Sequence, residues 1–298
     1  GAAAPEPIEI DNSCRFDGAT AYMTFLPSST TNNKTWTVSF WWKFVDKASN
    51  KNNMAILSAG STHLFFDSSD DKFNVTDGTT FRKTSATFTD AANWHHIVVA
   101  ADSTQGSAAD RLKVYYDGSE ITSWTTNNDV SEDFEFDVCS DSNHRLGRYT
   151  ATAHYFWGYL SEFYIIDGAQ KEADDFGMDD SGTWKPIAYS GSYGTNGCYL
   201  DFEDSGNLGD DESGNGNDFT ETNIAAADQM LDTPTENHAI VNPYTDTGSG
   251  HLSGATVLEG GLKVVLSASA LTSRAPCTLS VNSGKWYWEG KIIGASGG

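Results

Sequence analysis

Apolar positions along this chain alternate with polar ones or form short continuous runs, and almost nowhere do they recur with the period of a helix. The best helical candidate, residues 169–176, follows a glycine and has room for a turn or two at most. By contrast, β-rich runs return about every ten to fifteen residues, separated by Gly, Asn, Asp and Ser. They predict strands near 13–16, 20–26, 35–45, 53–59, 62–67, 71–76, 79–87, 94–102, 111–117, 120–125, 144–148 and 155–166. Later runs lie near 197–203, 217–222, 255–268, 276–282 and 284–293. Many short strands with turn signals and no intervening helices predict an all-β chain. Its architecture is an antiparallel β-sandwich or jelly roll with extra strands at the C-terminus.

Local patterns support individual elements. Trp94, Ile97 and Val99 alternate like a strand with one buried face, and Asp117-Gly118 is a hairpin turn signal between apolar runs. The run Phe163-Tyr-Ile-Ile166 suits a central strand. His95 and His96 are adjacent on one strand, so they point to opposite faces and cannot serve one site; structural roles are expected for both. Residues 1–7 read as an exposed arm, 8–168 as the sandwich and 169–250 as a connector containing a returning strand pair at 197–222. Residues 251–298 form a C-terminal β segment.

Composition narrows the function classes. A 38% apolar content allows a sizeable core, and nine Trp and twelve Tyr exceed what a core needs, so some are expected at a surface. Against 18 basic residues stand 41 acidic ones, for a formal charge of −23. Nucleic-acid backbones need clustered Lys and Arg, so that balance argues against them, and it disfavours anionic membranes. It favours solubility and divalent cations. No apolar run reaches the length of a membrane-spanning helix. Cys14, Cys139, Cys198 and Cys277 lack paired metal or redox spacing, and allow three disulfide connectivities or none.

Three stretches carry a family resemblance. Cys14-Arg-Phe16-Asp-Gly18 with Tyr22 is the first. Asn93-Trp94-His95-His96-Ile97 with Leu112-Lys-Val114-Tyr-Tyr116-Asp117-Gly118 is the second and most specific. Phe156-Trp-Gly158-Tyr-Leu160-Ser-Glu162 through Asp167 is the third. In this order and spacing they resemble the laminin-G-like branch of the concanavalin A-like lectin/glucanase superfamily, which implies a lectin-like sandwich. Asp211-Glu-Ser-Gly214-Asn-Gly216-Asn217 resembles a loop that usually precedes such domains. Here it follows, either closing the sandwich or opening a second one, and the few residues beyond it favour closure. Ser283-Gly-Lys285-Trp286-Tyr-Trp288-Glu289 resembles the opening strand of SPRY domains. The whole order is similar to large structural proteins of marine tailed phages, which implies a virion-surface, tail-fibre or extracellular setting.

Glucanases of this superfamily place carboxylates on one strand, where alternation aims them into the cleft. Glu9-Ile-Asp11 and Glu135-Phe-Asp137 come near that pattern, but the third carboxylate is missing from both, so no catalysis is expected. Asp201, Glu203, Asp204, Asp210, Asp211, Asn215, Asn217 and Asp218 offer hard oxygen ligands among flexible glycines. A structural calcium held by Asp211, Asn215 and Asn217 is one reading, and ordinary turn formation is the other. Trp124 and Trp157 are candidate glycan platforms, with core packing as the competing role. Two partner classes remain: a cell-surface glycan or host receptor, and like chains or other virion proteins in a larger assembly. Val264, Val265, Leu266, Trp286, Tyr287, Trp288, Ile292 and Ile293 are too apolar to stay solvated, so docking of this segment is expected.

Overall fold

The computed structural model describes residues 5–45, 54–149, 154–241, 255–266, 276–280, 283–285 and 287–292. Among them the chain forms β1 (Ser13–Asp17), β2 (Tyr22–Phe25), β3 (Thr35–Phe44), β4 (Met54–Ala59), β5 (Thr62–Asp67), β6 (Lys72–Asp77) and β7 (Thr79–Thr84). There follow β8 (His95–Asp102), β9 (Leu112–Tyr116), β10 (Ser119–Glu120), β11 (Trp124–Asn127), β12 (His144–Leu146) and β13 (Trp157–Asp167). The later strands are β14 (Gly177–Asp180), β15 (Thr183–Pro186), β16 (Cys198–Leu200), β17 (Thr220–Thr222), β18 (Gln229–Met230), β19 (Ala255–Leu258) and β20 (Lys263–Leu266). Helical structure among the described residues is limited to 3-10 turns, one of them at Ala173–Asp175.

Two antiparallel sheets make the sandwich. Sheet 1 runs β10-β9-β8-β3-β13-β1-β18, with β16 also on β13; sheet 2 runs β11-β7-β6-β5-β4-β12-β2-β17. Alternation on β3 sends Trp36, Val38, Phe40, Trp42 and Phe44 inward, and on β5 and β6 it sends Leu64, Phe66, Phe73 and Val75 to meet them. Phe44 stacks on Phe66 at 5.3 Å and Trp42 meets the same ring edge-on at 5.6 Å, so aromatic pairs span the layers.

Strand β13 serves two partners along one edge. Its register slips between Ser161 and Tyr164, where Glu162 takes a φ of 49°. On one side of this bulge it pairs with β1, on the other with β16. Strand β17 pairs with β2 in sheet 2, so one strand from the 197–222 pair joins each sheet and the pair closes the sandwich. Asp117 and Gly118 both have positive φ, as a two-residue turn between β9 and β10 requires.

Several sequence expectations change. The 169–196 connector contains the β14–β15 hairpin, whose Ser181-Gly182 turn also has two positive φ values. The run 255–268 folds as the hairpin β19–β20 about Glu259–Gly261, because the two glycines break it. The run 120–125 divides between β10 and β11. Around 276–282 the described residues make a single bridge, Val241 to Cys277. Of the run 284–293, the described residues form no strand, and Tyr287, Trp288 and Ile292 are exposed; Trp286 and Ile293 lie outside the described residues. Cys14, Cys139 and Cys198 are buried free thiols and Cys277 is exposed, so none of the three disulfide connectivities is present.

Candidate functional site

The two outer faces of the sandwich are treated differently. On sheet 1, Tyr164, Ile166 and Val98 are buried by Phe176, Tyr189, Tyr193 and Tyr199, which come from the connector and β16. Tyr164 and Tyr199 stack at 4.5 Å with rings nearly parallel, and both hydroxyls donate to the buried Glu162 carboxylate. Burial, partly offset by those two hydroxyls, pushes the Glu162 carboxyl up to about 7. Further along, the buried Lys43 ammonium donates to Asp232 at 2.8 Å, to the Asn237 amide oxygen at 2.7 Å and to the His238 carbonyl at 2.6 Å. Tyr159 donates to the Gly260 carbonyl, and Arg15 reaches Asp228 and Glu259. The connector and the segments around Asp228–His238 and Glu259–Gly260 thus lie over sheet 1.

One pair on this face has the look of catalytic machinery. Ser39 Oγ and His96 Nε2 are 2.8 Å apart, as a nucleophile and its base would be. The Trp184 indole N–H, which can only donate, reaches His96 Nδ1 at 3.0 Å. The proton therefore sits on Nε2, which donates to Ser39. Burial alone pushes the imidazole down to about 3, and both residues lie in the interior beneath Trp184. His95 points the opposite way, stacked on Tyr116 and bonded to Asp117 at 2.8 Å. Both histidines are structural.

Sheet 2 has a different outer face. A cross-strand row runs Thr76, His63, Ser58, Arg145, Thr24, Thr220 through consecutive partners on β6, β5, β4, β12, β2 and β17. Among the described residues no second layer like that on sheet 1 is assembled over this row. At its β5–β6 end lies an open depression of about 390 Å³, lined by Gly60, Ser61, His63, Thr76, Thr79 and Tyr149 among others. Tyr149 packs on the His63 ring at 4.0 Å. His63 is 6% exposed, and burial pushes its imidazole down to about 4, so it is neutral at neutral pH. Its Nδ1 has no hydrogen-bond partner; neither do Ser58 Oγ beside it, Arg148 Nε or His154 Nδ1. Unpaired buried polar atoms are uncommon, and here four gather around one face. The indoles of Trp36 and Trp42 are also unpaired, but in the closed core where no ligand can reach.

The sequence-derived candidates fall elsewhere. Trp157 is buried at the start of β13, within the main hydrophobic cluster, and offers no platform. Trp124 is half-buried on the edge strand β11, under the Arg82 guanidinium at 5.6 Å, beside a depression of about 210 Å³. Asp211, Asn215 and Asn217 do come together. The Asp211 carboxylate accepts from the N–H groups of Tyr199, Ser213 and Asn217 and from the Ser213 hydroxyl, at 2.8–3.0 Å. The Asn215 and Asn217 amides both donate to the Gly197 carbonyl, at 2.9 and 2.8 Å. Calcium would need six or more oxygens turned toward it. Here the carboxylate is engaged by donors and the amide nitrogens point inward, so the trio as arranged is a staple between 194–199 and 211–217 and does not fit the ion. Among the described residues no group of three or more His, Cys, Asp or Glu is placed to hold a metal. Glu135 and Asp137 lie in turns, not on a strand, so alternation cannot aim them at one cleft; Asp137 accepts the Ser61 N–H instead. Glu9 and Asp11 likewise precede β1.

Sequence reasoning missed His63, Tyr149, Arg145 and Arg148. The available signal was the alternation on β5, where Leu64 and Phe66 face inward and His63 must face out.

Two eight-stranded antiparallel sheets packed face to face, with a second layer over one outer face only among the described residues, define a jelly-roll sandwich. The chain belongs to the concanavalin A-like lectin/glucanases superfamily, whose laminin-G model matches residues 17–174. Solved structures with a similar fold include a putative carbohydrate binding protein from Bacteroides ovatus. It is 15% identical, with a TM-score of 0.49, over 76% of this chain and 61% of that one. Mouse laminin alpha1 domains LG4-5 share 14% identity at a TM-score of 0.37, over 67% of this chain and 50% of theirs. A heptameric SAP-like pentraxin from Limulus polyphemus shares 16% at 0.39, over 55% of this chain and 80% of its own. No curated protein matches the chain.

Proposed function

We propose that this chain is a non-catalytic glycan-binding module of a surface-attachment protein, and that its ligand lies on the outer face of sheet 2. The observation that carries the reading is the His63 Nδ1, buried without a partner at an open depression flanked by Tyr149 and hydroxyl side chains. A sugar supplies hydroxyls for such a nitrogen and a C–H face for such a ring. Membership of a lectin/glucanase superfamily supports it. The setting on a virion or tail surface rests on the order of sequence motifs.

The test is a glycan array followed by calorimetry with Tyr149→Ala and His63→Ala. Loss of more than about tenfold in affinity, with the melting curve retained, is expected. Unchanged binding in both variants would remove the site, and release of reducing sugar from any bound glycan would remove the non-catalytic reading. A second reading, docking within an assembly of like chains or other particle proteins, is favoured by the exposed Tyr287, Trp288 and Ile292. Deleting residues 250–298 and measuring assembly state separates the two.

A further inference from the structure

The open face has a charge asymmetry that names the class of ligand. The chain carries 41 acidic against 18 basic residues, so an arginine at its surface normally finds a carboxylate. Arg15 pairs with Asp228 and Arg111 with Glu132, while Arg82 donates to the Phe81 and Asn128 carbonyls. Arg145 and Arg148 do neither among the described residues. Arg145 sits mid-row on the open face, between Ser58 and Thr24. Arg148 is held over the rings of Tyr22 at 4.7 Å and Tyr155 at 5.4 Å, its Nε buried and unpaired. Stacking fixes the guanidinium without using its donors.

One acid lies near the His63 end of this face. Asp137 caps the Ser61 N–H, beside the depression, whereas Asp77 pairs with Thr62 on the opposite face of the sheet. Strands lie about 4.8 Å apart, so two spacings, roughly 10 Å, separate His63 from Arg145 along the row. That is close to the length of a disaccharide.

Resting on the glycan-binding reading, we infer that the ligand is an acidic oligosaccharide. A neutral ring lies against Tyr149 and His63, and a carboxylate or sulfate ester lies on Arg145 and Arg148. Planar guanidinium groups grip either anion in a bidentate way. The anion stays at the arginine end because the His63 end offers it only a neutral imidazole and the Asp137 carboxylate.

The experiment measures affinity for three tetrasaccharides: an oligogalacturonate, a sulfated carrageenan fragment and neutral laminaritetraose. Proteins are the full chain and its Arg145→Gln, Arg148→Gln and Arg148→Lys variants. Expected is tighter binding of one or both acidic probes, weakening with salt, and about tenfold loss in either Gln variant with partial retention in Arg148→Lys. Which acidic probe wins distinguishes carboxylate from sulfate. Arg145 stacks on no ring among the described residues, so its variant remains informative if Arg148→Gln destabilises the fold. Equal affinity for neutral and acidic probes, or Gln variants that bind like the parent, overturns the inference and leaves the glycan-binding reading standing. If no glycan binds at all, on the array or here, both fall.

Discussion

The outer faces of sheets 1 and 2 begin from the same alternation and end in opposite states. On sheet 1 the outward polar groups are paired: Lys43 with Asp232, His96 with Ser39 and Trp184, and Glu162 with two tyrosine hydroxyls. On sheet 2 the outward His63, Ser58 and Arg148 each leave an atom unpaired. The lesson is about where partners come from. On sheet 1 the covering chain supplies the partners, and burial without a partner costs about 1–3 kcal/mol. A polar group left unpaired beside an opening is available to something else.

The largest effect expected from breaking this contrast is at Lys43. Lys43→Met removes the cation and leaves Asp232 buried, with only the Trp94 indole and the His238 N–H to hold it. Urea unfolding is expected to show a loss of about 3–5 kcal/mol, the range for stripping one partner from a buried ion pair. A loss below about 1 kcal/mol would mean that the layer over sheet 1 is not integral to the fold.

A smaller effect is expected at the Asp211 staple. Asp211→Ala frees four donors at once, at a cost of about 2–3 kcal/mol. Thermal melts in chelator and in millimolar calcium should show the same loss. If the parent chain instead gains several degrees with calcium, and the variant does not, the metal reading of Asp211, Asn215 and Asn217 returns.

The last is a pH effect. The Glu162 carboxyl is held at about 7 in the fold against 4.5 when free, so the native state binds its proton more tightly. That stabilisation is present below pH 4.5 and is lost as pH rises through 7. Glu162→Gln has no proton to lose, so between pH 4.5 and 8 the parent should fall by up to about 3 kcal/mol relative to the variant. His63 and His144, both pushed down to about 4 by burial, destabilise the fold as pH falls below 6.5, but equally in both proteins. Parallel stability curves would show that Glu162 is not the group that titrates.

The sequence by itself determined the sheets. Strands such as β3, β5 and β8 are readable because large apolar residues at every second position have one way to be buried together, and the Asp117-Gly118 turn because few other dipeptides accept two positive φ values. The Ser181-Gly182 turn carried the same signal within a segment whose low apolar content read as a connector. Only the tertiary structure decided the rest. Trp157 is buried because other chain packs over the start of β13, and Asp211 is a staple because residues 194–199 return to meet it. His63 comes from β5 and Arg145, Arg148 and Tyr149 from β12 and the residues just after it, and no spacing along the chain relates the two segments. Pattern along a strand reports which face a residue takes, but whether that face is covered depends on where distant chain is placed. Here the connector and the segments around 228–238 and 259–261 lie over sheet 1, and among the described residues no such layer covers sheet 2.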